Sequence, residues 1–165
     1  MSEKIKNSQR LYETRFSFGA TAAIITNLAL VAGLRTGEYA RPSIIGGMLV
    51  IAVADNISDA IGIHIYQESE LLETREVWLS TATNFITRLM VSLTFITLVF
   101  FLPIKLAVIS TLVWGALLLS VMSYMIAKDK GIKPHLAILE HLSIAATVVI
   151  ASNFIGQLIL ERLKL

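Results

Sequence analysis

The chain has 165 residues, 55% hydrophobic and only 16% charged, with a mean hydropathy of +0.72. Soluble domains carry about 25% charged residues, so this composition excludes an ordinary soluble domain and points to an all-α integral membrane protein. A net charge of +2 gives no electrostatic reason for a nucleic-acid partner, and the absence of cysteine excludes disulfides and thiolate metal sites.

The first 15 residues, MSEKIKNSQRLYETR, are polar and charged. The apolar run that follows lacks a small-x-small exit site, so it reads as a retained first span and not as a cleaved signal. Leu11, Tyr12 and Phe16 give the preceding turns a weak apolar face for the membrane surface. Residues 16–165 read as a single membrane domain of five helices, since a span needs about 20 apolar residues. The expected spans are 16–34, 43–66, 78–102, 104–127 and 136–160. Pro42, Pro103 and Pro134 each fall just before an expected helix, where a missing N–H costs nothing. "RTGEYARP" and "AKDKGIKP" gather charge, glycine and proline and read as loops, and "FLPIK" turns the third span into the fourth.

Lysine and arginine counts set the expected orientation. With the N-terminus inside, the inner side holds Lys4, Lys6, Arg10, Arg15, Arg75, Lys128, Lys130 and Lys133, eight in all. The outer side holds Arg35, Arg41, Lys105, Arg162 and Lys164, five in all. The excess favours N-in, C-out.

The second span carries "ADNISDAIGIH", residues 54–64, with Asp55 near its midpoint. An ionisable group at the bilayer centre costs about 2.5–3.5 kcal/mol on insertion scales, so such groups pair or line a wet cavity. Asp59, four residues on, shares a helix face with Asp55, whereas His64 points the other way. Ala54, Ser58 and Gly62 form a small-residue stripe beside the aspartates, of the kind that admits a neighbouring helix. The simplest explanation of the charge is a buried Asp55–Arg88 pair, because Arg88 lies at nearly the same depth in the third span. That pairing leaves Asp59 over, and a second inward carboxylate suits cation coordination or proton carriage. Ser58 offers a neutral oxygen to the same cation; Asn84, Thr26 and Asn27 do so from other spans, or simply bond helix to helix.

Glu140 opens the last span beside His141, and either receives cations on the inner side or snorkels to the interface, the second being favoured. Asn153 and Gln157 follow on the same span. The stretch "YQESELLETREVW" sets Glu68, Glu70, Glu73 and Glu76 against a lone Arg75. Glu70 and Glu73 are candidate cation ligands there, although a solvated helical extension explains the run more simply. Met48, Met90, Met122 and Met125 read as packing residues. No nucleophile–base pair, phosphate-binding glycine loop or strong metal-ligand motif is present, so an enzyme is not expected.

"FSFGATAAIITNLALVAGL", the polar-interrupted second span, the short hairpin and "ILEHLSIAATVVIASNFIGQLI" together resemble the vacuolar iron transporter family, including its nodulin-21-like short members. "TNLALVAG", residues 26–33, and the glycine-bearing end of the last span carry the likeness. The resemblance implies a homodimeric five-span exchanger of Fe2+ or Mn2+ against protons, with no permanently bound cofactor. It also implies carboxylates on the first and second spans and, in full-length members, a glutamate-rich domain that has shrunk here to about ten residues. The family's first-span Asn-Asp-Gly aligns with Thr21, Ala22 and Ala23. Its Ser-Met-x-x-Gly-Glu-Tyr aligns with residues 58–64, with Ile63 in place of the glutamate. Asp59 takes the methionine position and Asp55 lies a turn earlier. Two expectations follow: the cation site has moved along the second span, or the chain keeps the fold without iron transport. Either way the expected home is a lipid bilayer, the cell membrane in a prokaryote or an organelle membrane in a eukaryote.

Overall fold

The computed structural model describes residues 19–163. Segment 1–15, its proposed membrane-surface turns and residues 16–18 of the first predicted span lie outside them. The described residues form five helices and no strand: α1 (Gly19–Leu34), α2 (Ala40–Ser69), α3 (Thr74–Phe101), α4 (Ile104–Lys130) and α5 (Pro134–Leu163). Helices α2 to α5 are long and apolar enough to cross a membrane, which suggests a membrane protein; α1 is apolar, but its described part is shorter.

The helix ends follow local chemistry. Leu102 is extended before Pro103, as the proline ring requires of its predecessor, and α3 stops there. Gly131 adopts φ +67°, while the Ile132 and Gly131 amides bond the Ala127 and Lys128 carbonyls, a Schellman turn that ends α4. Lys128 and Lys130 therefore belong to the last helical turn and not to a loop, a correction to the expected boundary. Their positive charge there complements the helix dipole. The acidic stretch likewise divides: residues 66–69 end α2, residues 70–73 make the turn, and Thr74 starts α3.

Within α2, Ile51–Asp55 is a turn of π-helix flanked by regular α-helix. The buried residues Ala40, Ile44, Met48, Ala52, Asn56 and Ala60 recur every four positions. In an α-helix of 3.6 residues per turn such a stripe rotates by about 40° per step. The wider π turn reverses part of that rotation and keeps the stripe on its neighbours.

Helix α1 is the centre of the bundle, and glycines let three helices approach it. A Cβ added at Gly156 of α5 would lie 1.9 Å from the Gly33 carbonyl oxygen, so α1 and α5 touch backbone to backbone. Gly47 of α2 receives Leu30, and Gly115 of α4 receives Leu28. At its other end α1 meets α3, where Gly19 faces Asn84 and the Arg88 stem. The contact gives both Gly33 and Gly156 a packing reason, since a side chain at Gly156 would meet the backbone of Gly33.

The apolar core lies in the half of the bundle that carries the α1–α2 and α3–α4 connections. It joins Ile24, Leu28, Val31, Ile44, Met48, Phe95, Val99 and Leu119. The other half, toward the α2–α3 turn, buries polar groups alongside Ala20, Val77, Met122 and Ala127. Met48 and Met122 pack in the core as expected, whereas Met90 and Met125 are exposed.

Gly156→Ala is expected to destabilise the purified protein by more than the about 1–3 kcal/mol of ordinary overpacking, because the added methyl meets backbone. Gly46→Ala, where a Cβ meets nothing within 4 Å, should be neutral or stabilising. Thermal unfolding in detergent separates the two; equal effects would contradict the α1–α5 contact.

Candidate functional site

The buried face of α3 is polar along much of its length. Ser80, Asn84, Arg88 and Ser92 follow one another at four-residue spacing and are all buried. Each turn of this stripe meets a different partner. Ser80 accepts a hydrogen bond from Gln67 of α2 at 2.7 Å, and Ser92 accepts one from Asn27 of α1 at 3.0 Å. Asn56 of α2, directly after the π turn, donates to the Phe85 carbonyl at 2.9 Å. Polar pairs of this kind hold helices together where no water competes.

Arg88 is the charged member of the stripe. Its guanidinium donates through Nη2 to Oδ2 of Asp55 and through Nη1 to Oδ2 of Asp59. The two carboxylates project from one face of α2 because regular α-helix resumes after Asp55, placing Asp59 one turn on. The guanidinium fork thus spans two successive turns of the neighbouring helix. The Arg88 side chain is 4% exposed, against 47% for Asp55 and 39% for Asp59. The cation is enclosed by the bundle while the outer edges of both anions face out of the chain. With both carboxylates ionised the three groups sum to one negative charge.

This geometry corrects one expectation and refines others. The Asp55–Arg88 pair forms, but Asp59 is not left over: the same arginine engages it. Asn84 does not join the aspartates. It is fully buried on the α1 side of α3, where neither side-chain atom has a partner among the described residues. Ser58 lies on the exposed surface of α2 with Ala54 and Gly62, and a Cβ at Gly62 would meet nothing within 4 Å. The small-residue stripe beside the aspartates therefore packs against no helix among the described residues.

The remaining candidates are dispersed. Glu140 is exposed on α5, and Glu70 and Glu73 flank the α2–α3 turn, both exposed. None of them approaches Asp55 or Asp59 closely enough to form an acidic or histidine-containing group of three or more among the described residues. Thr26 bonds the Ala22 carbonyl of its own helix, and Asn153 accepts from Arg35 at 2.9 Å, tying α5 to the α1–α2 connection. His141 meets Ser123 of α4 at 2.7 Å. His64, on the far side of α2 from Asp55 in the sequence reading, contacts Thr81 at 3.0 Å and Glu68 at 3.3 Å. The spacing His64-x-x-x-Glu68 is visible in the sequence, but its docking on α3 is not.

Helices and charges of this kind define an all-helical chain with apolar helices suited to a bilayer. Compared with protein-family models, curated proteins and solved structures, the chain matches none.

Arg88→Leu is expected to destabilise the protein by about 3 kcal/mol or more, because it strands two carboxylates on an otherwise apolar helix. Asp55→Asn or Asp59→Asn alone should cost less, since the other carboxylate still neutralises the guanidinium. The triple change Asp55→Asn/Asp59→Asn/Arg88→Leu should recover most of the Arg88→Leu loss. Unfolding in detergent measures all four, and wild-type stability for Arg88→Leu would rule out the cluster.

Proposed function

We propose that this protein is a membrane transporter of divalent transition-metal ions, Fe2+ or Mn2+, working by exchange with protons. The observation that carries the reading is the pair of half-exposed carboxylates, Asp55 and Asp59, gathered on one enclosed arginine between two helices suited to a bilayer. A fixed net charge in apolar surroundings is costly, so a charged cluster there that is neither neutral nor fully enclosed is a functional candidate. Each aspartate gives one oxygen to Arg88 and retains the other for a cation or a proton.

In this reading Arg88 is a tethered cation. It holds the two carboxylates aligned. A metal ion approaching the exposed carboxylate edges competes with the guanidinium for their oxygens, and a proton taking a carboxylate oxygen in its place releases the metal. Ser58, one residue from Asp59 on the exposed surface, adds a neutral oxygen. Membrane insertion with the N-terminus inside follows the lysine and arginine bias. The exposed stripe of Ala54, Ser58 and Gly62 supports a homodimer whose seam runs beside the aspartates, since small residues admit a second helix closely. The metal and proton assignment draws on the likeness to vacuolar iron transporters.

One observation favours a second reading. Arg88 engages both aspartates across two helices, which is also how a static clamp between α2 and α3 is built. A clamp predicts that removing one carboxylate alters stability alone.

The deciding measurement is uptake of Fe2+ or Mn2+ into proteoliposomes under an imposed proton gradient. Asp59→Asn is expected to lower the initial rate at least about tenfold while the protein stays folded. Equal rates for the variant and wild type would remove Asp59 from the transport site, and no uptake by either would favour the clamp.

A further inference from the structure

His64 lies near the α2–α3 turn, away from the arginine cluster, and its surroundings fix its chemistry. The Thr81 hydroxyl has one hydrogen, which it donates to the Val77 carbonyl of its own helix at 2.9 Å. The 3.0 Å contact between Thr81 Oγ1 and His64 Nδ1 is then a bond in which the ring donates and the hydroxyl accepts. A ring protonated at Nδ1 presents a lone pair at Nε2. That lone pair faces a carboxylate oxygen, Glu68 Oε1, at 3.3 Å. Two acceptors set face to face repel unless a cation lies between them.

Two cations qualify, a proton shared by imidazolium and carboxylate and a metal ion held by both groups, and the 3.3 Å spacing accommodates the metal. Two ligand atoms each about 2.0–2.2 Å from a metal ion, and 3.3 Å apart, subtend about 105° at it, close to the tetrahedral angle. The supporting features are those of a ligating histidine. Its second nitrogen is anchored by a neighbouring helix, and the indole of Trp78 packs edge-on against the ring at 4.6 Å and fixes its plane. The His64 side chain is mostly enclosed, whereas the Glu68 side chain is 61% exposed, leaving the outer side open to water ligands. Tyr66 and Trp78 are exposed at the same end of the bundle, where amphipathic rings mark the membrane–water interface. An ion reaches this level from solution without crossing hydrocarbon.

We propose that His64 and Glu68 form a two-residue site for a divalent transition-metal ion, with Nε2 and Oε1 as ligands and water completing the shell. Thr81 is a positioning residue that holds the tautomer. The site stands apart from Asp55 and Asp59, and does not depend on whether the protein transports anything.

The test uses the full-length, untagged protein in detergent with Co2+ alone as the probe, read by its visible ligand-field absorption and by equilibrium titration. The comparison is made in the Asp59→Asn background, which removes the leading ligand of the proposed transport site. There Co2+ is expected to give an absorption band that Glu68→Gln weakens at least about tenfold and His64→Ala abolishes. Thr81→Val should weaken binding by about 10–100-fold while retaining both ligands, the range typical of lost outer-shell support. Co2+ binding that depends on His64 and Glu68 in this background belongs to this site whether or not the transport reading holds. Glu68 is exposed, so Glu68→Gln is expected to remain folded even where His64→Ala does not. Undiminished Co2+ binding in Glu68→Gln would overturn the proposal. So would nitrogen NMR showing His64 protonated at both nitrogens, bridged to Glu68 and unmoved by Co2+.

Discussion

A guanidinium enclosed in a bundle of apolar helices imposes conditions on everything around it. Arg88 cannot reach water, so its charge must be met by anions delivered at the right depth on a neighbouring helix. Two are delivered, from adjacent turns of α2, and this fixes the axial register of α2 against α3. A slip of one residue would turn Asp55 and Asp59 away by about 100° and leave the cation unmatched. The π turn ending at Asp55 belongs to the same constraint. It keeps a four-residue stripe of buried side chains on one side of α2, and it hands over to regular α-helix where the two aspartates are needed.

Arg88 also explains why α3 is lined with polar groups where a soluble helix would bury leucine. In apolar surroundings, association gains little from burying more hydrocarbon, and hydrogen bonds and close backbone contacts supply the specificity. Ser80 with Gln67, Ser92 with Asn27 and, beside the stripe, Asn56 with the Phe85 carbonyl are such bonds. The outward faces are the converse, rich in isoleucine, leucine and phenylalanine. Helix α5 is the extreme case: 6% of its most apolar window is buried within the chain. It is attached by its glycine against Gly33, by His141 on Ser123 and by Asn153 on Arg35.

The helices were legible in the sequence because their signals are local. Span length, the three prolines and the charged connections placed the helices to within a few residues. The boundaries differ by up to four residues: α2 runs from Ala40 to Ser69 and not 43–66, α3 starts at Thr74 and not 78, and α4 continues through Lys130 because Gly131 is what ends it. The cluster was half legible. Depth matching brought Asp55 and Arg88 together and the shared face joined Asp59 to Asp55. That one arginine takes both follows from the reach of its planar fork, which no sequence rule specifies. Depth says nothing about which neighbour Asn84 meets, and in the fold it lies beside Gly19 of α1. Helical rotation turns His64 away from Asp55, yet both reach α3, His64 at Thr81 and Asp55 at Arg88.

From the sequence alone follow an all-helical chain, the positions of its apolar helices and the residues too polar to face hydrocarbon, because these depend on transfer free energies and hydrogen bonding along single segments. The tertiary structure decided how those polar residues are shared: both aspartates on one buried arginine, Asn84 turned to α1, His64 held between Thr81 and Glu68, and Gly33 against Gly156. Those outcomes depend on helix rotation and on approach within a few ångströms. Both are set jointly by two helices, so neither can be read from one.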